Sequence, residues 1–192
     1  MLFSAAETAF AISEGQRVNF NSSNGSYEYN GMSFGTAKFT VSGQNGYVGT
    51  CGQYGMDNFP GPATVTRVSN NSRQAKAVYY FGLVLGWQDN VGESSYKGGA
   101  LQAICHDVTG SLDRYLELDS NMGSQSRAEK ALANEAYAAH PNWESVEVPS
   151  GFELYYCYAE EENTQNVLYW RMNIPVGKLK LKKVSQNKSI TG

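Results

Sequence analysis

The amino-acid sequence predicts an α+β domain, in which an antiparallel sheet of β-sandwich or barrel-like type carries an inserted helical block. Three observations support this fold class. Short alternating apolar stretches, separated by turns rich in Gly and Asn, occupy residues 16–68. Apolar residues recur at helical spacing within residues 71–140. Alternation returns from residue 146 in stretches rich in aromatic side chains, so the helices lie between two groups of strands.

The first group of strands leads to a cysteine. Alternation over residues 18–20 predicts a strand that ends at a turn over residues 22–25. A second strand is predicted over residues 34–41. The Gly-containing residues 42–46 then predict a hairpin turn, which brings the chain to Cys51.

The helical block is predicted over about residues 71–142, between the cysteine strand and the C-terminal hairpin. Residues 72–80 read as a helix, and apolar side chains recur at helical spacing over residues 101–108. Ser126 and Glu129 have the spacing of a capping box, with Ser at the cap and Glu at the third helical position. They predict the start of an Ala-rich helix.

The last group of strands forms a predicted hairpin. Residues 152–158 and 165–172 alternate on either side of the polar residues 160–163. The tail, residues 177–192, is interpreted as a linker or as the truncated first strand of another domain. The chain is therefore predicted to hold one domain over residues 1–176.

Composition narrows the class of function. Charged residues make up 17% of the 192 residues, and 13 Tyr and 20 Gly accompany many Ser, Asn and Thr, which is typical of a β-rich extracellular domain. The net charge is -3 without a basic patch, so nucleic-acid binding is not predicted. An apolar run of about 18–20 residues, as a membrane span requires, is lacking. Residues 1–7 are too short and polar for a secretion signal, and we expect one to precede them.

Two residues, Cys51 and Gln165, are the candidate functional site. A thiolate that attacks a glutamine carboxamide expels ammonia and leaves an internal thioester, which is a stored electrophile. Glycines near Cys51 allow another group to approach closely and predict an exposed or semi-exposed thiol. The apolar residues 167–170 would exclude water from an acyl group on Gln165. The alternative is a structural cysteine and an ordinary hairpin glutamine.

The other two cysteines have several possible roles. Cys105 lies on the apolar face of a predicted helix, where core packing is expected. Cys157 lies on a predicted strand, where it is a core residue, a partner of Cys105 or a rival thiol for Gln165. The odd number of cysteines fits one pair plus one special thiol, and it equally fits three reduced thiols.

Histidines and acidic residues raise three other possibilities: a cysteine hydrolase, a zinc site and a calcium site. The sequence supports each of them less well than the Cys51–Gln165 thioester. His106 and His140 are the two histidines, and a Cys51–His106 pair would be that of a cysteine hydrolase. Cysteine and histidine spacing does not fit a zinc site. The acidic residues 160–162 are expected to form a solvated turn, since they lack the ladder of oxygen ligands that calcium needs. We therefore predict neither a metal nor a cofactor.

Motifs along the chain resemble those of a known family. In order, they are a cysteine strand, a Pro-rich loop, a helical block and two late stretches, namely Cys51, residues 59–62, 76–82, 100–106, 149–155 and 164–170. This order resembles the thioester domains of Gram-positive surface adhesins and pilus-tip proteins, over residues 16–175. Gln165, followed by one polar and two apolar residues, matches the glutamine motif of that family.

Other motifs match the family less closely. The family's cysteine usually follows an aromatic residue or Leu and precedes an apolar residue, whereas Thr50 and Gly52 flank Cys51. Cys157 fits that local pattern. Cys51 is preferred because the family's cysteine precedes the helical block and its glutamine hairpin comes last. The family's central helix motif, a Thr-Gln pair ahead of Ala and Trp, is partly matched around Ala103 and Ile104.

The resemblance implies a covalent adhesin head. Cys51 would be the thiol and Gln165 the acyl donor, and a lysine amine of a host surface or matrix protein would displace the thiol once, so the domain is not expected to be an enzyme. It further implies a secreted, cell-wall-anchored protein whose domain does not contact a membrane. Residues 177–184 are similar to the first strand of immunoglobulin-like stalk repeats. A non-covalent carbohydrate- or peptide-binding module is the main alternative.

Overall fold

The computed structural model describes residues 11–56 and 61–173. Its sheet is a closed antiparallel barrel with the strand order β1-β2-β3-β6-β5-β4. The six strands are β1 (Arg17–Tyr29), β2 (Met32–Val41), β3 (Val48–Cys51), β4 (Pro62–Val68), β5 (Phe152–Ala159) and β6 (Val167–Met172). The predicted tail, residues 177–192, lies outside the described residues.

Helices occupy the chain between β4 and β5. They are α1 (Arg73–Ala77), which continues as the π-helical segment Val78–Val84, then α2 (Tyr96–Val108) and α3 (Asn121–Ala139), with short 3-10 turns at Trp87–Asn90 and Trp143–Ser145. Helices α2 and α3 pack on each other, and α2 also packs on β2 and β3. The predicted α+β class, with helices inserted between the cysteine strand and the final hairpin, is confirmed.

Side chains of β6 alternate between the barrel interior and the core formed by the helices. Val167 and Tyr169 point into the barrel, whereas Leu168 and Trp170 point outwards into the core that the helices form. All four side chains are buried. A strand buried on both faces reads as a continuous apolar run, and β6 does so.

Helix caps and one close approach position α2. The Ser95 hydroxyl accepts the N–H of Gly98 and caps the helix. At Gly99 an added Cβ would lie 2.6 Å from the Tyr27 ring, so only glycine lets the helix approach β1 this closely. Residues 98–108 are buried throughout, which makes α2 the central helix between the barrel and α3.

Two local predictions are wrong. The turn expected over residues 22–25 is part of the long strand β1, and the chain reverses at Asn30 and Gly31, which both have positive φ. The helix expected to begin at Ser126 begins at Asn121, because the Ser120 hydroxyl accepts the N–H of Gly123 and caps it there. Within the described residues, no helix is long and apolar enough to cross a membrane.

Candidate functional site

Cys51 and Gln165 lie on neighbouring chain segments at one end of the barrel. Cys51 ends β3 and pairs with Val167 of β6, and the N–H of Gly52 donates to the Asn166 carbonyl at 2.8 Å. Gln165 comes two residues before Val167, just ahead of the strand that it was expected to open. Positions that are diagonal across an antiparallel ladder lie about 7–8 Å apart, so the register makes these two residues neighbours.

The direction of the Gln165 carboxamide favours the β3 side. Its Nε2 donates to the Met56 carbonyl at 2.5 Å, and Met56 lies in the segment that follows β3. The adjacent Asn166 side chain faces β5 instead, where its Oδ1 accepts the N–H of Ala159. The carboxamide therefore extends towards the strand of Cys51 and away from that of Cys157.

Gln165 is nearly buried and incompletely hydrogen-bonded. The residue is 8% exposed, and its Oε1 is buried without a hydrogen-bond partner among residues 11–56 and 61–173. Leaving a buried acceptor unpaired costs about 1–3 kcal/mol, and most buried acceptors in folded proteins are paired. The Gln165 carbonyl oxygen is thus a buried acceptor that the described residues leave unused.

Cys51 is buried, so the expectation of an exposed or semi-exposed thiol is wrong. The residue is 1% exposed. Burial, followed by the negative charge of Glu129 and then Cys105, raises the pKa of its thiol well above the ordinary value. The flanking glycines serve packing instead. A Cβ at Gly49 would lie 2.6 Å from the Tyr169 ring, and one at Gly52 would lie 3.1 Å from the backbone nitrogen of Leu168.

A cavity of about 230 Å³ lies between the barrel and the helical block, next to Gln165. Besides Gln165, three parts of the fold line it: β2, the segment after β3, and the facing sides of α2 and α3. The lining residues are Ser33, Phe34, Gly35, Tyr54, Gly55, Met56, Gln102, His106, Gln125, Glu129 and Gln165.

Gln102 ties α2 to the two strands beside the cavity. Its Nε2 donates to the Gly35 carbonyl at 2.7 Å, and its Oε1 accepts the N–H of Ala37 at 3.0 Å. The Thr50 hydroxyl donates to the Ala37 carbonyl at 3.0 Å and lies 3.3 Å from the same Oε1. These bonds hold the residue before Cys51 in place, and the sequence analysis did not single out Gln102.

His106 and Glu129 form a buried pair across α2 and α3. Nδ1 of His106 lies 2.6 Å from Oε2 of Glu129, and both side chains are 3% exposed. The Tyr54 ring packs edge-on against the imidazole, with ring centroids 5.8 Å apart. The capping-box spacing predicts Glu129 as a capping residue, yet its spacing from Leu132 and Ala136 puts it on the buried face of α3. That spacing is the sequence signal for its buried position.

The remaining candidate residues lie elsewhere or serve the fold. Cys105 and Cys157 are buried free thiols, so they do not pair with each other. His140 follows the last residue of α3 and packs against the rings of Tyr80, Phe81 and Trp87. In the acidic turn, Glu160 forms an ion pair with Arg17 at 2.8 Å. A cluster of His, Cys, Asp or Glu able to hold a metal ion is absent from the described part of the chain.

The fold and site together define an antiparallel barrel with an inserted helical block and a cavity that Gln165 lines. The chain is similar to the N-terminal domain of the Streptococcus pyogenes pilus tip adhesin Cpa, with a TM-score of 0.44 and 13% identity over 88% of this chain and 100% of that chain. It is also similar to the N-terminal thioester domain of fibronectin-binding protein SfbI from Streptococcus pyogenes, with a TM-score of 0.38 and 18% identity over 81% of this chain and 95% of that chain.

One of these two structures is an adhesin domain and the other is a thioester domain. The motifs in the sequence resemble the same class of domain. Comparisons with protein-family models and with curated proteins find no match. Because both TM-scores are below 0.5, the function proposed below rests on the geometry around Cys51 and Gln165.

Proposed function

We propose that this chain is the head domain of a bacterial surface adhesin that carries an internal thioester between Sγ of Cys51 and Cδ of Gln165. The β3–β6 register makes the two residues neighbours, since Cys51 pairs with Val167 two residues after Gln165. The observation that carries this proposal, and that favours Cys51 over Cys157, is the direction of the Gln165 carboxamide. The Gln165 carboxamide extends to the β3 side and reaches Met56.

The chemistry balances without a cofactor. Sγ of Cys51 attacks Cδ of Gln165, the C–N bond breaks, and Nε2 leaves as ammonia with the thiol proton. Later, a primary amine attacks the same carbon, an N–C bond forms and the C–S bond breaks. The sulfur receives the proton that the amine loses. Each molecule reacts once, so the domain binds covalently and does not turn over as an enzyme does.

Burial of the site supports a long-lived thioester. Cys51 and the apolar side chains of β6 are buried, and the helical block covers the outer face of that strand. Excluding water protects a reactive acyl group against hydrolysis. An amide bond formed with a partner also avoids the ceiling of non-covalent affinity, about -18 to -21 kcal/mol, which suits a head that must hold under load.

The partner in this proposal is a lysine amine of a host surface or matrix protein. The domain, residues 1–176, would be secreted and anchored to the bacterial cell wall. Residues 177–192 would connect it to a stalk domain or form the first strand of that domain. Non-covalent binding is the second candidate, and a groove of about 420 Å³ lined by Tyr156 and Tyr158 favours it, since exposed aromatic rings stack on sugars and peptides.

Intact-mass spectrometry tests the proposal. The wild-type protein is expected to be lighter than its sequence mass by one ammonia, and methylamine should add to it. Cys51→Ala should abolish both effects, whereas the matched variant Cys157→Ala should keep them. A full sequence mass for the wild type refutes the thioester, and full mass with retained ligand binding supports the non-covalent module. Turnover of a model ester that depends on His106 would instead support a cysteine hydrolase.

A further inference from the structure

The His106–Glu129 pair has the arrangement of a proton-transfer dyad. A carboxylate oxygen only accepts hydrogen bonds, so Nδ1 of His106 donates to Oε2 of Glu129 across 2.6 Å. This bond orients the ring and leaves Nε2 as an acceptor, because a neutral imidazole carries one proton. The same principle lets a buried carboxylate orient a histidine base in hydrolases.

The second imidazole nitrogen of His106, a residue that lines the cavity of Gln165, lacks a hydrogen-bond partner within the described residues. His106 and Gln165 line the same cavity, and Nε2 of His106 is buried without a hydrogen-bond partner in the ranges 11–56 and 61–173. Tyr54 packs on the ring but directs its hydroxyl to the Met122 carbonyl at 3.1 Å. The backbone carbonyl of His106 also accepts the Ser111 hydroxyl. The ring is therefore held in place while one nitrogen remains unused.

A neighbouring ion pair in the same two helices differs from the His106–Glu129 pair, because its buried carboxylate has several hydrogen-bond donors. Asp107 follows His106 and Lys130 follows Glu129, and Asp107 and Lys130 form an ion pair. Asp107 also accepts the Tyr137 hydroxyl at 2.8 Å and lies 3.4 Å from Arg73. Its carboxylate is thus surrounded by donors, and it does not line the cavity. The unused nitrogen distinguishes His106 from this structural cluster.

Transfer of an acyl group from Cys51 requires a proton carrier. An attacking amine becomes positively charged as its bond to Cδ of Gln165 forms, and the departing sulfur becomes negatively charged. Burial and the charge of Glu129 raise the pKa of the Cys51 thiol, so a bare thiolate is a poor leaving group here. A residue that removes the first charge and neutralises the second accelerates the reaction.

We propose that His106, oriented by Glu129, is the general base and acid of this site, an inference that rests on the proposed thioester. Nε2 accepts the proton of the incoming amine as nitrogen bonds to Cδ of Gln165. The imidazolium then gives that proton to Sγ of Cys51 as the C–S bond breaks. The products are an amide, a neutral thiol and the original neutral imidazole, so atoms and charges balance.

Methylamine addition, followed by intact-mass spectrometry, tests this role. We compare His106→Gln and Glu129→Gln with the matched control His140→Gln, which alters the other histidine among the aromatic rings of the helical block. His106→Gln should form the thioester but react with methylamine about 10²-fold or more slowly. Glu129→Gln should also slow the reaction, and His140→Gln should react at the wild-type rate.

A pH profile separates proton transfer from packing. The titratable groups that face His106 are Glu129 of α3 and Tyr54 of the segment after β3, with Tyr115 packed behind Tyr54. Divided by the concentration of free amine, the wild-type rate should fall as the solution is acidified, because general-base catalysis needs a group that is free to accept the proton of the amine. This fall should disappear in His106→Gln.

The outcomes distinguish this inference from the thioester itself. A wild-type protein of full sequence mass refutes the thioester and the role of His106 together. A thioester in His106→Gln that reacts at the wild-type rate refutes the role of His106 alone. Folded variants that lack the thioester would place the dyad in bond formation and overturn the assignment to amine transfer. If His106→Gln does not fold, a flat wild-type pH profile overturns it.

Discussion

Cys51 and Cys157 pair with the same residue, Val167, from the two strands that flank β6. Both thiols therefore face the interior of the barrel, and both stand diagonal to Gln165. Strand register alone does not choose between them. The choice comes from the Gln165 side chain, which donates to Met56 on the β3 side and so favours Cys51.

Replacing Gln165, the proposed acyl donor, tests the site from the glutamine side. Gln165→Leu keeps an apolar side chain of similar volume but removes the carbonyl carbon and the bond to Met56. We expect the full sequence mass and no methylamine adduct in intact-mass spectrometry. Gln125→Leu, which changes another glutamine of the same cavity, should keep the mass deficit and the adduct. Loss of both in the control would contradict a specific role of Gln165.

Contact between β3 and β6 depends on Gly49. An added Cβ there would lie 2.6 Å from the Tyr169 ring and 3.1 Å from the Phe39 carbonyl. Overpacking of this kind typically costs about 1–3 kcal/mol, and we expect Gly49→Ala to lower the free energy of unfolding by that amount. Gly35→Ala is the control, because no atom lies within 4 Å of its Cβ. Equal stability of the two variants in urea denaturation would refute the close approach.

The buried carboxylate of Asp107 stabilises the helical block. It accepts bonds from Lys130, Arg73 and Tyr137, which join α1, α2 and α3. Hydrogen bonds to charged groups contribute about 1.5–3 kcal/mol, although partial exposure of the two cations reduces their share. Asp107→Asn should therefore lower stability by about 1.5–3 kcal/mol in urea denaturation. The exposed Asp113→Asn, which removes another partner of Lys130, should cost less than 1 kcal/mol.

Buried thiols should make the fold sensitive to alkaline pH. Burial raises the pKa of Cys157 to about 12, whereas an unfolded thiol ionises near pH 8.5. The unfolded chain therefore releases this proton first, and the stability that Cys157 contributes is present below pH 8.5 and is lost as pH rises towards 12. The predicted slope for this group is up to about 1.4 kcal/mol per pH unit.

Urea denaturation between pH 7 and 11 measures this slope. Cys157→Ala should be less stable than the wild type at pH 7, because it leaves a small void, but its stability should fall less steeply with pH. Buried tyrosines such as Tyr47, whose pKa burial raises to about 12, add to the slope in both proteins. An identical slope in both proteins would show that Cys157 ionises normally in the folded state.

Local chemistry predicted much of this molecule. Alternation with period two predicted the strands, and period 3.6 predicted the helices, because each pattern states which face of one element avoids water. The errors were also local. The Gly25 turn signal was overridden because β1 pairs with β2 on both sides of that glycine, and the Ser126 hydroxyl bonds to the Leu112 carbonyl inside the fold rather than capping a helix.

The sequence by itself determined the α+β class and the order of the elements, and it selected an early cysteine and a late glutamine as the candidate site. Only the tertiary structure decided that Cys51 is buried, that Val167 stands between two thiols, and that His106 meets Glu129 beside Gln165. The spacing of apolar residues along one helix or strand shows which of its faces is buried, and this spacing can be read from a short stretch of sequence. Which side chains of distant elements meet depends on strand register and on how helices pack, and these are set by the whole core at once.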